Sequence, residues 1–302
     1  METPRRDPLT ELAESRANAF SQRSETSGIK AAASEQAHTN LPVPEPPGDL
    51  VQVGGHRMHL YCTGQADRTV LLEAGLGDWS LHLRPLQEEL ARTTRVCAYD
   101  REGYGWSEPG PASRTGMQII EELEALLQAA DEPGPYILVG HSFGGLTMLM
   151  FAEAHPDDVA GVVLIDSSHP RQQEAFAQVP AMDAEQAADQ AEIEALATRA
   201  EAGLIEDTEA LPLAPDFLPP ELKHQWAAMA TRTPSVRTSL LELDAWSQTT
   251  AHVGGPGSLG GTPLIVLAAG IGIARPKHPS SPSTGRMPSE STPSGGTSKK
   301  TT

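Results

Sequence analysis

The chain has 302 residues, 38% of them apolar, and a formal net charge of −18 at pH 7. The apolar share is enough for the core of one large α/β domain or two small ones, and a polyanion repels nucleic acid and anionic membrane, which excludes both as partners. No apolar run reaches membrane-span length and Met1–Phe20 lacks the apolar centre of a signal peptide, so the expectation is a cytoplasmic protein with no membrane contact.

From Met1 to Gly48 the chain is polar and ends in Pro42-Val43-Pro44-Glu45-Pro46-Pro47. Such a stretch buries too little to offset its ordering entropy, so 1–48 reads as a disordered leader. Leu50–Val53, Gly54-Gly55 and His56–Cys62 predict a hairpin. Thr69–Ala74 is apolar without alternation, the pattern of a strand buried on both faces. Trp79–Arg92 has helical spacing (Leu83, Leu86, Leu90), Arg95–Tyr99 is a further strand, and Thr115–Ala130 is an amphipathic helix with Ile119, Ile120, Leu123, Leu126 and Leu127 on one side. Val159–Ile165 reads as another buried strand. Alternation at this spacing predicts a mostly parallel, doubly wound α/β sheet over 49–170. Cys62 and Cys97 both sit in apolar strand runs and are expected to be core residues, with no disulfide and no metal between them.

After Ser167 the alternation stops. Helical runs at Asp183–Ala202, Pro220–Thr231 and Val236–Trp246 place a helical lid over 171–258, and a β-run resumes at Thr262–Ala268, giving a core strand in 259–270. From Ile271 the composition turns to Pro, Ser, Thr and Gly with basic Arg275, Lys277, Arg286, Lys299 and Lys300. The segment 271–302 therefore reads as a disordered tail.

The stretch that carries chemistry is Tyr136-Ile137-Leu138-Val139-Gly140-His141-Ser142-Phe143-Gly144-Gly145. Four strand residues run into a Gly-x-Ser-x-Gly, and helical spacing follows at Leu146, Met150, Phe151 and Ala154. A serine in a sharp strand-to-helix turn needs small neighbours, which Gly140 and Gly144 supply, and stands exposed above a helix start. Ser142 is the candidate nucleophile; on a strand His141 is expected to point away from it. Backbone N–H groups of Phe143 and of Leu76, in the loop Gly75-Leu76-Gly77, suit a developing oxyanion.

Four motifs in order carry a resemblance: the serine turn, Tyr99-Asp100-Arg101-Glu102-Gly103-Tyr104-Gly105-Trp106-Ser107, Leu72-Glu73-Ala74-Gly75-Leu76-Gly77, and Val163-Leu164-Ile165-Asp166-Ser167-Ser168-His169-Pro170. Over Leu50–Ala269 the chain resembles the lid-containing bacterial serine hydrolases of the α/β-hydrolase superfamily. The resemblance implies cleavage of an ester, thioester or related acyl bond of a small-molecule substrate through a serine acyl-enzyme, without cofactor or metal. It also implies an acid and then a histidine after the serine. Asp166 is the candidate acid, with a salt-bridged structural role as the alternative. His169 is expected in a turn, His252 leaves the helical region, His278 lies in the tail, and none is identified as the base. The expected last strand, helix and histidine loop are not legible after Gly270, as if lost by truncation or frameshift. The competing functional reading is therefore a catalytically inactive relative, a binding scaffold or a truncated product.

Overall fold

Side chains that alternate along each apolar run fill two separate layers, which is why the runs form a sheet covered on both sides. The computed structural model describes residues 43–268, apart from 112, 203, 206–209 and 255–257. Residues 1–42 of the expected leader, and the expected tail with His278, lie outside the described residues. Strands β1 (Asp49–Val53), β2 (His56–Thr63), β3 (Thr69–Glu73), β4 (Arg95–Tyr99), β5 (Tyr136–His141), β6 (Val159–Ile165) and β7 (Leu264–Leu267) form one seven-stranded sheet in the order β1-β2-β4-β3-β5-β6-β7. β1 and β2 pair antiparallel through the expected hairpin, with Gly54 at φ 58°, and β2 is antiparallel to β4. The remaining pairs are parallel.

On one face Leu71, Cys97, Tyr99, Leu138 and Val162 pack with Ile120, Leu123 and Leu126 of helix α2 (Gly116–Ala129) and Met148 and Phe151 of α3 (Phe143–Ala154). On the other, Val70, Leu72, Val96, Ala98 and Val139 meet Leu86 and Leu90 of α1 (Arg84–Leu90). Adjacent residues of β3 thus serve opposite layers, and truncating a leucine as enclosed as Leu71 costs about 2–5 kcal/mol. The helix expected over Trp79–Arg92 is divided, with a 3-10 turn at Ser80–Leu83 preceding α1. Pro85 falls in the first turn of α1, where its missing N–H is tolerated. Thr115 caps α2, its Oγ1 accepting from Gln118 N–H at 3.3 Å.

Between β6 and β7 the chain is helical: α4 (Gln172–Phe176), α5 (Pro180–Glu201), α6 (Pro220–Ala230), α7 (Thr233–Asp244) and α8 (Trp246–His252). Ala197 and Ala200 of α5 pack with Val236 of α7. α7 also reaches the carboxyl ends of the strands, where Ser235 Oγ donates to Gly103 O at 3.3 Å. β7 is the edge strand among the described residues, and its Leu264, Ile265, Val266 and Leu267 are 47–60% exposed. It is a sheet strand, as expected, and its side chains stand open at the edge. The last residues of the expected leader, 1–48, are engaged, since Trp106 Nε1 donates to Pro44 O at 2.7 Å.

The reading of the cysteines is corrected. Cys62 and Cys97 form a disulfide. β2 and β4 are neighbours although β3 and α1 separate them in the chain, and their register sets Cys62 directly opposite Cys97 with Cα atoms 4.0 Å apart. No helix among the described residues is long and apolar enough to cross a membrane.

Candidate active site

The turn after β5 places Ser142 at φ 50°, ψ −120°, a conformation that a non-glycine residue holds only when its surroundings enforce it. The enforcement is visible in the backbone. Ser142 N–H donates to Ile165 O at 3.2 Å, and Ser142 O accepts from Gly145 N–H and Ser168 N–H, each at 3.0 Å. Gly140 and Gly144 are required by close approach, because a Cβ at Gly140 would meet Gly145 Cα at 2.6 Å and one at Gly144 would meet Ala74 O at 2.6 Å. The sequence-predicted small residues are therefore where the turn crosses the β3 loop.

Phe143 opens α3, so its N–H is among those with no partner inside the helix. Its ring is buried with Leu146 and Trp246, and Leu76 packs against the same cluster. The structure thus brings Leu76, Phe143 and Ser142 to one place at the carboxyl end of the sheet. A Cβ on Gly75 would lie 3.3 Å from Ser142 Cβ, 3.2 Å from His141 Nδ1 and 3.3 Å from Asp78 Oδ2. His141 consequently does not turn away from the site. The positive φ of Ser142 breaks strand alternation at the last step, and both side chains face the Gly75 loop.

Asp166 ends β6 at φ 42° and is exposed, its N–H donating to Leu267 O at 2.7 Å. His169 is exposed with Nδ1 accepting from Arg171 N–H at 3.1 Å, the expected turn role. His252 is exposed at the end of α8, its Nδ1 2.7 Å from Gln248 O. Among the described residues no histidine nitrogen is hydrogen-bonded to Ser142 Oγ.

Sequence reasoning missed a polar group at the same mouth. His82 Nε2 lies 3.1 Å from Asp78 Oδ1 and accepts from Trp226 Nε1 of α6 at 2.8 Å. Burial pushes the His82 imidazole below its ordinary value, and Asp78 offsets this only in part. The other ring nitrogen, Nδ1, lies 3.2 Å from Trp79 N and 3.3 Å from Trp79 O. Below this lies a buried ionic cluster. Arg101 Nε and Nη2 donate to Glu242 of α7 at 2.7 and 3.0 Å, and Nη1 is 3.6 Å from Glu73 Oε1. One guanidinium cannot balance two enclosed carboxylates, and burial pushes Glu73 up to about 7, with Arg101 opposing. The Tyr99–Ser107 run carried the family resemblance and gave no sign of this cluster or of its partner in α7.

Among the described residues one group of side chains has the spacing of metal ligands. Cys62, Cys97 and Glu132 present atoms within 4.8 Å of one another, but the sulfurs are bonded to each other and Glu132 pairs with Arg95.

The fold and the serine turn define a class, and comparison agrees. The chain belongs to the alpha/beta hydrolase fold family, whose model matches residues 68–252. It is similar to the uncharacterized protein YqjL of Bacillus subtilis (strain 168), 38% identical over 103 residues, which are 34% of this chain and 41% of that protein. It is also similar to a putative carbamate hydrolase of Yersinia enterocolitica, 37% identical over 114 residues, 36% of this chain and 41% of that protein. Among solved structures, a putative alpha/beta hydrolase from Nostoc sp PCC 7120 superposes with a TM-score of 0.57 at 17% identity, covering 72% of this chain and 79% of the other. The chain thus spans less than half the length of these two relatives.

Proposed function

We propose that the chain is a serine hydrolase that cleaves an ester, thioester or related acyl bond through an acyl-enzyme on Ser142. The observation that carries this reading is the backbone of Ser142, held at φ 50°, ψ −120° between β5 and α3. A strained serine with glycines packed against it supports a nucleophile better than a plain turn does. The N–H groups of Phe143 and Leu76 serve as the oxyanion donors, and loss of one such donor costs about 3 kcal/mol of transition-state stabilisation. α4 to α8 act as the lid, with Trp246 of α8 packed on the Phe143 ring at 5.6 Å between ring centres. Asp166 is the candidate acid, though its exposure also suits a structural strand end. The disulfide suits an oxidising compartment better than the cytoplasm expected from the sequence.

A second reading, an inactive relative, is favoured by one observation: no described histidine is bonded to Ser142 Oγ. Labelling with a fluorophosphonate probe separates the two. The hydrolase reading expects labelling that disappears in Ser142→Ala. A folded wild-type chain that stays unlabelled overturns it and leaves the inactive relative.

A further inference from the structure

We infer that Arg101, Tyr104 and Glu242 form a clamp that positions the oxyanion loop and makes its geometry depend on the seating of α7. The inference rests on the hydrolase reading for its catalytic meaning, while the clamp itself stands on geometry. Arg101 Nη1 donates to Ala74 O and Nη2 to Gly75 O, both at 2.8 Å. The carbonyl of Gly75 and the N–H of Leu76 belong to one planar trans peptide unit and point in opposite directions. Holding Gly75 O on Arg101 therefore fixes where Leu76 N–H points, on the side away from the guanidinium. The next amide is held too, since Gly77 N–H donates to Tyr104 Oη at 3.1 Å. The Arg101 guanidinium also lies 5.4 Å from the centre of the Phe143 ring, so one side chain touches the residues of both donors' neighbourhoods.

What holds the clamp comes from the helical insertion. Glu242 of α7 accepts from Arg101 Nε and Nη2 and from Tyr104 Oη, the last at 2.9 Å. Arg101, Tyr104 and Glu242 are each 0–2% exposed, so water does not substitute for any of these bonds. If α7 lifts, Arg101 loses its bidentate partner and Tyr104 its acceptor, and the peptide plane at Gly75-Leu76 loses its reference. These three are positioning residues, since each acts on the substrate through the backbone of 74–77. The oxyanion site is thereby assembled with the lid in place and loosened without it, a direct link between substrate enclosure and reactivity.

The test uses Glu242→Gln and Tyr104→Phe in the full chain, with Glu192→Gln, an exposed α5 residue, as control. Amide hydrogen exchange over residues 74–79 and the rate of fluorophosphonate labelling at Ser142 are both measured. The clamp predicts exchange at 74–79 faster by about tenfold and labelling slower by about tenfold, less than deletion of a donor because the N–H is displaced and not removed. Exchange in β5 stays as in the wild type, and the control changes neither quantity. Wild-type protection of 74–79 in both variants overturns the inference. If Glu242→Gln does not fold, Tyr104→Phe decides, because it removes a hydroxyl and leaves no charge unpaired. If the wild type is not labelled at all, the hydrolase reading fails and the exchange measurement alone settles the clamp.

Discussion

His82 shows how much one side chain at the mouth of the site can hold in balance. Its Nε2 accepts the Trp226 indole N–H at 2.8 Å while Asp78 Oδ1 waits 3.1 Å away on the same nitrogen. A neutral ring serves the tryptophan, and a protonated ring serves the aspartate. Burial favours the neutral form, the nearby Asp78 and Asp100 carboxylates favour the charged one, and His141 opposes it. The imidazole therefore gains its proton below its ordinary 6.5. The contribution of the neutral ring is therefore present above 6.5 and is lost as pH falls through the native value. Acidification should shift tryptophan emission with a midpoint below 6.5 as Trp226 loses its acceptor, and His82→Gln should abolish that shift. Persistence of the same shift in the variant would place its origin elsewhere.

At the level of elements, the Cys62–Cys97 bridge ties antiparallel β2 to β4 across a sequence separation of 35. Closing a loop of that size restricts the unfolded chain by roughly 3–4 kcal/mol. Denaturant unfolding with and without reductant, and of Cys62→Ser with Cys97→Ser, should show a loss of that order; a loss under about 1 kcal/mol would mean that reduction leaves the unfolded ensemble equally constrained. The same pair marks the limit of what the sequence reveals. The runs of β3, β5 and β6 were legible because residues such as Val70, Leu71 and Leu72 fill both layers and leave no polar alternation. The turn at Ser142 was legible because Gly140 and Gly144 stand in strict spacing around it. The strand order was not, and with it went the facing of Cys62 and Cys97, since register is set by tertiary packing. Trp226 meets His82 across 144 residues, and Glu242 meets Arg101 across 141. Neither pair has a local pattern to betray it.

For the whole molecule, the buried carboxylates set how stability varies with pH. Glu73 is 1% exposed, shares Arg101 with Glu242, and is pushed by burial from 4.5 up to about 7. In the unfolded chain it loses its proton near 4.5, whereas the native protein retains it until about 7. Its contribution is thus fully present below 4.5 and is lost as pH rises through 7, a fall on the order of 3 kcal/mol. Asp100 acts in the opposite sense. Burial would raise it, but His59 and the donors on Ser80 and Trp106 hold it below 3.8, so its contribution is present above 3.8 and lost as pH falls. Together with His82 this gives an acid limb, and Glu73 gives a decline towards neutral pH. Glu73→Gln keeps the shape and removes the titration. Its melting temperature should exceed that of the wild type at pH 8, and the difference should shrink to nothing or reverse near pH 4.5. An equal loss at both pH values would show that Glu73 is charged in the native protein and that its pairing with Arg101 outweighs its burial.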